Sequence, residues 1–171
     1  MEQNNLCYPT VLFDWGDTVM RDYPERTAPM VEWESVEVVD GIAEVLAYLH
    51  STGRQIVLAT SAAISDEEQI RGALKRGGLD TYFSHIYCFK NTQLPKGEAF
   101  YRYILDDLQL SPADAVMVGD GFEKDIQIPN ILGIYGVWFN PKSVKIRRDG
   151  MHFTVHSMGQ LRTFFEELDR Q

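Results

Sequence analysis

Five short runs, at 10–15, 55–60, 85–89, 115–119 and 134–139, are dense in β-branched and aromatic residues and almost wholly apolar. A strand with one wet face alternates apolar and polar residues. One covered on both faces reads as a continuous apolar run, and that is the signature of a parallel sheet sandwiched between helices. The intervening segments agree. Ile42, Val45, Leu46 and Leu49 recur at three- and four-residue steps, as do Leu161, Phe164, Phe165 and Leu168, the spacing of helices that bury one face. A third helix is expected to open at Ser65, with Glu68 completing a capping box, and to close at Gly77-Gly78. A fourth sets Phe100, Tyr103, Ile104 and Leu108 on one face, and a fifth, after Asp120, is shortened or kinked by Pro129. The reading is α/β: a three-layer α/β/α arrangement with at least five parallel strands, and 171 residues suit a single domain over 1–171. Residues 18–40 have no clear period and are expected to form a loop or flap.

Composition narrows the partners. Sixteen Lys and Arg against 25 Asp and Glu give a net charge of −9, which repels phosphate backbones and anionic lipid and weighs against nucleic acid and membrane surfaces. The basic cluster Lys142, Lys145, Arg147 and Arg148 reads as a solvated loop. Cys7 and Cys88 are too few for a disulfide scaffold and suit a reducing compartment. With neither a secretion signal nor a membrane-length apolar run, a cytoplasmic location is expected. The histidines, at 50, 85, 152 and 156, lack metal-ligand spacing, and no nucleophile elbow, phosphate-binding P-loop or dinucleotide-binding glycine pattern is present.

Right-handed crossovers place all strand C-termini along one edge, where open α/β sheets bind ligands. The first run passes from Val11-Leu12-Phe13 into Asp14, then Trp15-Gly16-Asp17-Thr18; the second leads into Thr60-Ser61; the fourth leads into Gly119-Asp120, with Asp125 close behind; Lys96 precedes the fourth helix. Converging carboxylates repel one another in a low-dielectric cleft unless a cation holds them, and hard Mg²⁺ takes oxygen ligands. Hydroxyls and a lysine beside such a cation suit a phosphoryl group, with one Asp free to act as a nucleophile.

These residues resemble the four motifs of the haloacid dehalogenase (HAD) superfamily of aspartate-nucleophile phosphohydrolases. Asp14 with Thr18, then Thr60, then Lys96, then Gly119-Asp120 with Asp125 occupy the motif positions in order. The resemblance implies a Rossmann-like fold and a Mg²⁺-dependent phosphatase acting through an aspartyl-phosphate. By it, Asp14 is the nucleophile, Thr60, Ser61 and Lys96 serve the phosphoryl group, and Lys96 steadies Asp14. The metal would take Asp14, the Gly16 carbonyl and Asp120, with Asp125 helping directly or through water.

The pattern departs from the family at one place. Family phosphatases carry, two residues after the nucleophile, the acid that protonates the leaving group and then activates water; here that residue is Gly16, and the nearest acid is Asp17. Asp17 is either a relocated acid-base residue or a loop-stabilising carboxylate. An alternative to the phosphatase is a regulatory protein that binds metal and phosphate without turnover. The stretches between Thr18 and Thr60 and between Thr60 and Lys96 are too short to hold a cap domain, so the site is expected to be open. In this the chain resembles the capless members of the superfamily, and the resemblance implies a site that serves large substrates or is closed by a neighbouring subunit, as in a homodimer. The substrate itself, some phosphorylated compound, is not encoded in these motifs.

Overall fold

A computed structural model describes residues 5–171. Six strands form one sheet: β1 Thr10–Phe13, β2 Gln55–Ala59, β3 His85–Tyr87, β4 Ala115–Gly119, β5 Tyr135–Phe139 and β6 His152–Val155. The order is β3-β2-β1-β4-β5-β6, and every neighbouring pair is parallel. Helices α1 Ile42–Ser51, α2 Glu67–Arg76 and α6 Met158–Asp169 pack their apolar faces into a core on one side; α4 Glu98–Asp107 packs on the other. This is the three-layer, Rossmann-like architecture. Two short helices complete it, α3 Phe89–Thr92 and α5 Ile128–Ile131, and no large cap stands over the sheet edge among the described residues.

Differences from expectation have local causes. β6 escaped notice because it is an edge strand: Phe153 is exposed and only Val155 is fully buried, so no apolar run marks it. The third run stops at Tyr87, since Cys88 and Asn91 cap α3 from Phe89 onward. The α2 capping box falls one residue later than expected, Asp66 accepting from the Gln69 amide at 2.8 Å and Gln69 accepting from the Asp66 amide at 2.9 Å. In α4 the buried face is Phe100, Tyr101, Ile104 and Leu105, and Tyr103 lies outward. Beyond Asp120 the chain makes a six-residue π-turn, Phe122–Gln127, before α5. Pro129, in the first turn of α5, has no amide to continue the ladder backward.

Residues 18–40 form a loop with one three-residue 3-10 turn at Met30–Glu32, and they are not loose. Val19, Met20, Met30, Trp33 and Val39 are buried in the core beside α1 and α2. The Arg26 guanidinium lies against both the Tyr23 and Trp33 rings, 4.4 and 4.7 Å from their centroids.

The C-terminal helix is tied to the sheet by an ion pair. Arg54, its side chain fully buried, meets Asp169 at 2.6 and 2.9 Å and also donates to the Cys7 and Tyr8 carbonyls. The arginine, then the Tyr48 hydroxyl at 2.7 Å, hold the Asp169 carboxyl below its usual pKa. A depressed carboxylate pKa contributes stability that is whole above roughly pH 4 and fades as pH falls through the native value. Asp169→Asn therefore lowers stability by about 2 kcal/mol at pH 7 and by less at pH 3. Urea midpoints at the two pH values measure this, and equal losses at both would refute it. No helix among the described residues is long and apolar enough to cross a membrane. Cys7 is exposed and Cys88 buried, and both are free.

Candidate active site

β1 is central, and its last residue, Phe13, pairs with Leu58 of β2 and Val118 of β4. The chain beyond it therefore meets the ends of both neighbours. Asp14 extends the pairing through its amide, which donates to the Val118 carbonyl at 2.9 Å. Asp14, Ser61, Lys96, Asp120 and Asp125 line one shallow depression at this edge.

Lys96 is the electrostatic centre. It is buried, with Nζ 3.0 Å from Asp14 Oδ1 and 2.5 Å from Asp125 Oδ1. Burial alone would push its pKa down; Asp14 and Asp125 reverse that and hold it well above the ordinary lysine value. The fully buried Tyr101 stands near by, its hydroxyl donating to the Lys124 carbonyl at 2.6 Å. Asp125 accepts from the Gly121 amide at 2.9 Å through Oδ2, so both its oxygens are engaged. Gly119 is needed for this arrangement, because a Cβ there would fall inside the Asp125 carboxyl group.

Carboxylate oxygens of Asp14, Asp120 and Asp125 all lie within 4.8 Å of one another. The Thr18 hydroxyl bridges two of them, 3.5 Å from Asp14 and 3.4 Å from Asp120. Three carboxylates against one lysine leave excess negative charge. Burial, then the neighbouring Asp14, push Asp120 up to about 7. Burial also pushes Asp125 up, to about 6, against the opposing pull of Lys96. An all-oxygen donor set with surplus negative charge fits a hard divalent cation. The Gly16 carbonyl accepts no hydrogen bond among the described residues, so it too has a lone pair to offer.

Thr60 is buried at the end of β2. Its hydroxyl accepts from the Ala62 amide at 3.0 Å, leaving its own hydrogen free to donate. Ser61 beside it faces the same space. These two, with Asp14, Gly16, Asp22, Arg26 and Trp33, wall a cleft of about 240 Å³ next to the depression.

Asp17 does not line that cleft. It adopts a left-handed conformation, φ 58°, where it turns the chain, and its Oδ1 accepts from the Asp22 amide at 3.1 Å. Asp17 borders a different crevice, with Arg21, Asp120 and Lys142. Of the two roles weighed for Asp17, this is the geometry of the loop-stabilising one. Sequence reasoning passed over Asp22, which does line the cleft. Burial, then the Asp17 carboxylate, raise its pKa. It also passed over Trp138, whose Nε1 donates to the Asp120 carbonyl at 3.0 Å and fixes that strand end. No local pattern marks either residue.

A parallel sheet with an aspartate–lysine pair, two further acids and a hydroxyl gathered along its carboxyl edge defines a Rossmann-like α/β protein with a polar, charged cluster at that edge. The chain belongs to the haloacid dehalogenase-like hydrolase family, whose sequence pattern matches residues 14–138. It is 35% identical over 72 residues to the pyrimidine 5'-nucleotidase PynA of Streptococcus pneumoniae; the match spans 41% of this chain and only 30% of the nucleotidase. Among solved structures it resembles an uncharacterized protein from Listeria monocytogenes serotype 4b, with a TM-score of 0.81, 24% identity, and 95% and 99% of the two chains covered. It also resembles a HAD phosphatase from Thermococcus onnurineus, with a TM-score of 0.71, 18% identity, and 91% and 96% covered. Both structural likenesses concern the fold.

Proposed function

We propose that the chain is a Mg²⁺-dependent phosphomonoester hydrolase that passes the phosphoryl group through Asp14. The observation that carries this reading is the buried Lys96 held between Asp14 and Asp125, with a third acid, Asp120, within the same 4.8 Å cluster. Asp14 attacks phosphorus and forms an aspartyl-phosphate, which water then hydrolyses. Lys96 orients the attacking carboxylate, and Lys96, Thr60 and Ser61 receive the phosphoryl oxygens. Asp14, Asp120 and the Gly16 carbonyl would hold Mg²⁺, with Asp125 joining directly or through water; bound there, the ion offsets charge on the phosphoryl oxygens. Family membership and the nucleotidase and phosphatase among the similar proteins support the same class.

Gly16 favours a second reading, a protein that binds metal and phosphate without turning over. A release assay separates the two. Purified protein is incubated with a panel of phosphomonoesters, pyrimidine nucleoside 5'-monophosphates included, with Mg²⁺ or with a chelator. The expected result is phosphate release that falls roughly 10²-fold or more on chelation. Release indifferent to chelation would remove the metal from the mechanism. No release from any ester, alongside Mg²⁺-dependent phosphate binding, would establish the second reading. A homodimer closing the open site is part of the proposal, and sedimentation of the purified chain reads it.

A further inference from the structure

Cleaving an alkyl phosphate leaves an alkoxide, which departs readily only if a proton reaches it, and the second half-reaction needs a base to take a proton from water. In the phosphatase mechanism proposed for this site, Asp14, Lys96, Thr60 and Ser61 are each engaged with the attacking or phosphoryl oxygens, and none is free for that work. The geometry points to Asp22 as the proton-transfer residue of this site, a carboxyl brought by the loop after β1 to the place that Gly16 leaves empty. The assignment rests on the phosphatase reading.

Two placements carry it. An ideal Cβ built on Gly16 would lie 3.3 Å from Asp22 Oδ2 and 3.3 Å from its Cβ. The Asp22 carboxyl thus occupies the space into which a side chain at position 16 would project. Asp22 also shares the cleft with Asp14, Thr60 and Ser61, the groups that meet the phosphoryl unit, whereas Asp17 borders another crevice.

The loop is built to hold it there. Asp17 Oδ1 accepts from the Asp22 amide. The Arg21 amide donates to the Glu37 carbonyl at 2.9 Å, and Met20 on one side is buried in the core. On the other side the Tyr23 hydroxyl donates to Glu37 at 2.9 Å. Asp22 itself pairs with no cation among the described residues, so its carboxyl is not committed to an ion pair.

The steps balance. Asp14 Oδ bonds to phosphorus while the ester P–O bond breaks; the electron pair goes to the leaving oxygen, which takes the proton of the Asp22 carboxylic acid and departs as alcohol. The Asp22 carboxylate then accepts a proton from water as that water's oxygen bonds to phosphorus. The P–O bond to Asp14 breaks, releasing inorganic phosphate and restoring both residues.

The test compares leaving groups. For Asp22→Asn, turnover of an alkyl phosphate falls by roughly 10² to 10³. With p-nitrophenyl phosphate, whose phenolate leaves without a proton, the same variant gives a burst of one p-nitrophenolate per active site followed by slow turnover, because water activation is still missing. An exchange variant, Gly16→Asp with Asp22→Gly, moves the carboxyl to the neighbouring backbone position. Gly16 does not have a positive φ, so it accepts a side chain, and removing the Asp22 side chain clears the two 3.3 Å contacts. This variant is expected to recover at least tenfold over Asp22→Asn on the alkyl ester. Asp22→Asn within threefold of the wild type on both esters overturns the assignment, as does an equal loss on both without a burst, which is the mark of a merely structural residue. A wild-type chain inactive on every ester overturns the phosphatase reading together with this one. Wild-type activity that Asp14→Asn abolishes and Asp22→Asn spares overturns only this one.

Discussion

Asp14→Asn stops phosphate release, lowering kcat by roughly 10⁴ or more, the scale on which nucleophile removal acts in covalent catalysis. The amide matches the carboxylate in shape but has no anionic oxygen to form the acyl-phosphate bond. The fold has no reason to follow. Lys96 retains Asp125 at 2.5 Å when the partner at 3.0 Å loses its charge, and the crowding with Asp120 and Asp125 is relieved by one charge. The thermal midpoint is expected to stay within the shift produced by about 1 kcal/mol. Loss of activity with an intact melting curve is the expected pair of results. Activity within tenfold of the wild type would remove Asp14 from the chemistry.

The site was more legible than its completion. Residues that sit at strand ends are read directly, because a strand's apolar run announces where it stops and the first polar residue after it lies at the sheet edge. Asp14, Thr60 and Asp120 all have this form, and Phe13 pairing with Leu58 and Val118 brings them together. Lys96 needed the ordered series of motifs. Asp22 is different in kind. Its position opposite Gly16 depends on the turn at Asp17 and on where Met20 and Trp33 bury the loop, and none of that has a period. β6 was missed because a half-wet edge strand has a mixed pattern, and the face of α4 shifted because Tyr101 is buried on the side where Lys96 lies. Long-range packing decided each of these cases.

Lys96→Met separates the two things this lysine does. The methionine fills the space but leaves Asp14 and Asp125 facing each other with no cation between them. Breaking one side of a buried ion pair costs about 3 to 5 kcal/mol, which for a chain of this length lowers Tm by about 10 °C. Lys96 has its pKa raised in the folded state, with Asp14 and Asp125 outweighing burial. A group shifted this way contributes fully below its unfolded pKa of roughly 10.4 and loses the contribution as pH rises through the folded value, so the penalty is whole at pH 7. Activity falls by roughly 10² to 10³, as when a charge-stabilising donor is removed. Two further measurements distinguish charge from packing. Mg²⁺ should raise the Tm of Lys96→Met more than that of the wild type, because a second cation then neutralises the same carboxylates. Adding Asp125→Asn to Lys96→Met should recover most of the lost stability, the two changes coupling through direct contact, while activity stays low. A Tm within about 2 °C of the wild type, or activity regained in the double variant, would show that the Lys96 ion pairs do not govern this site.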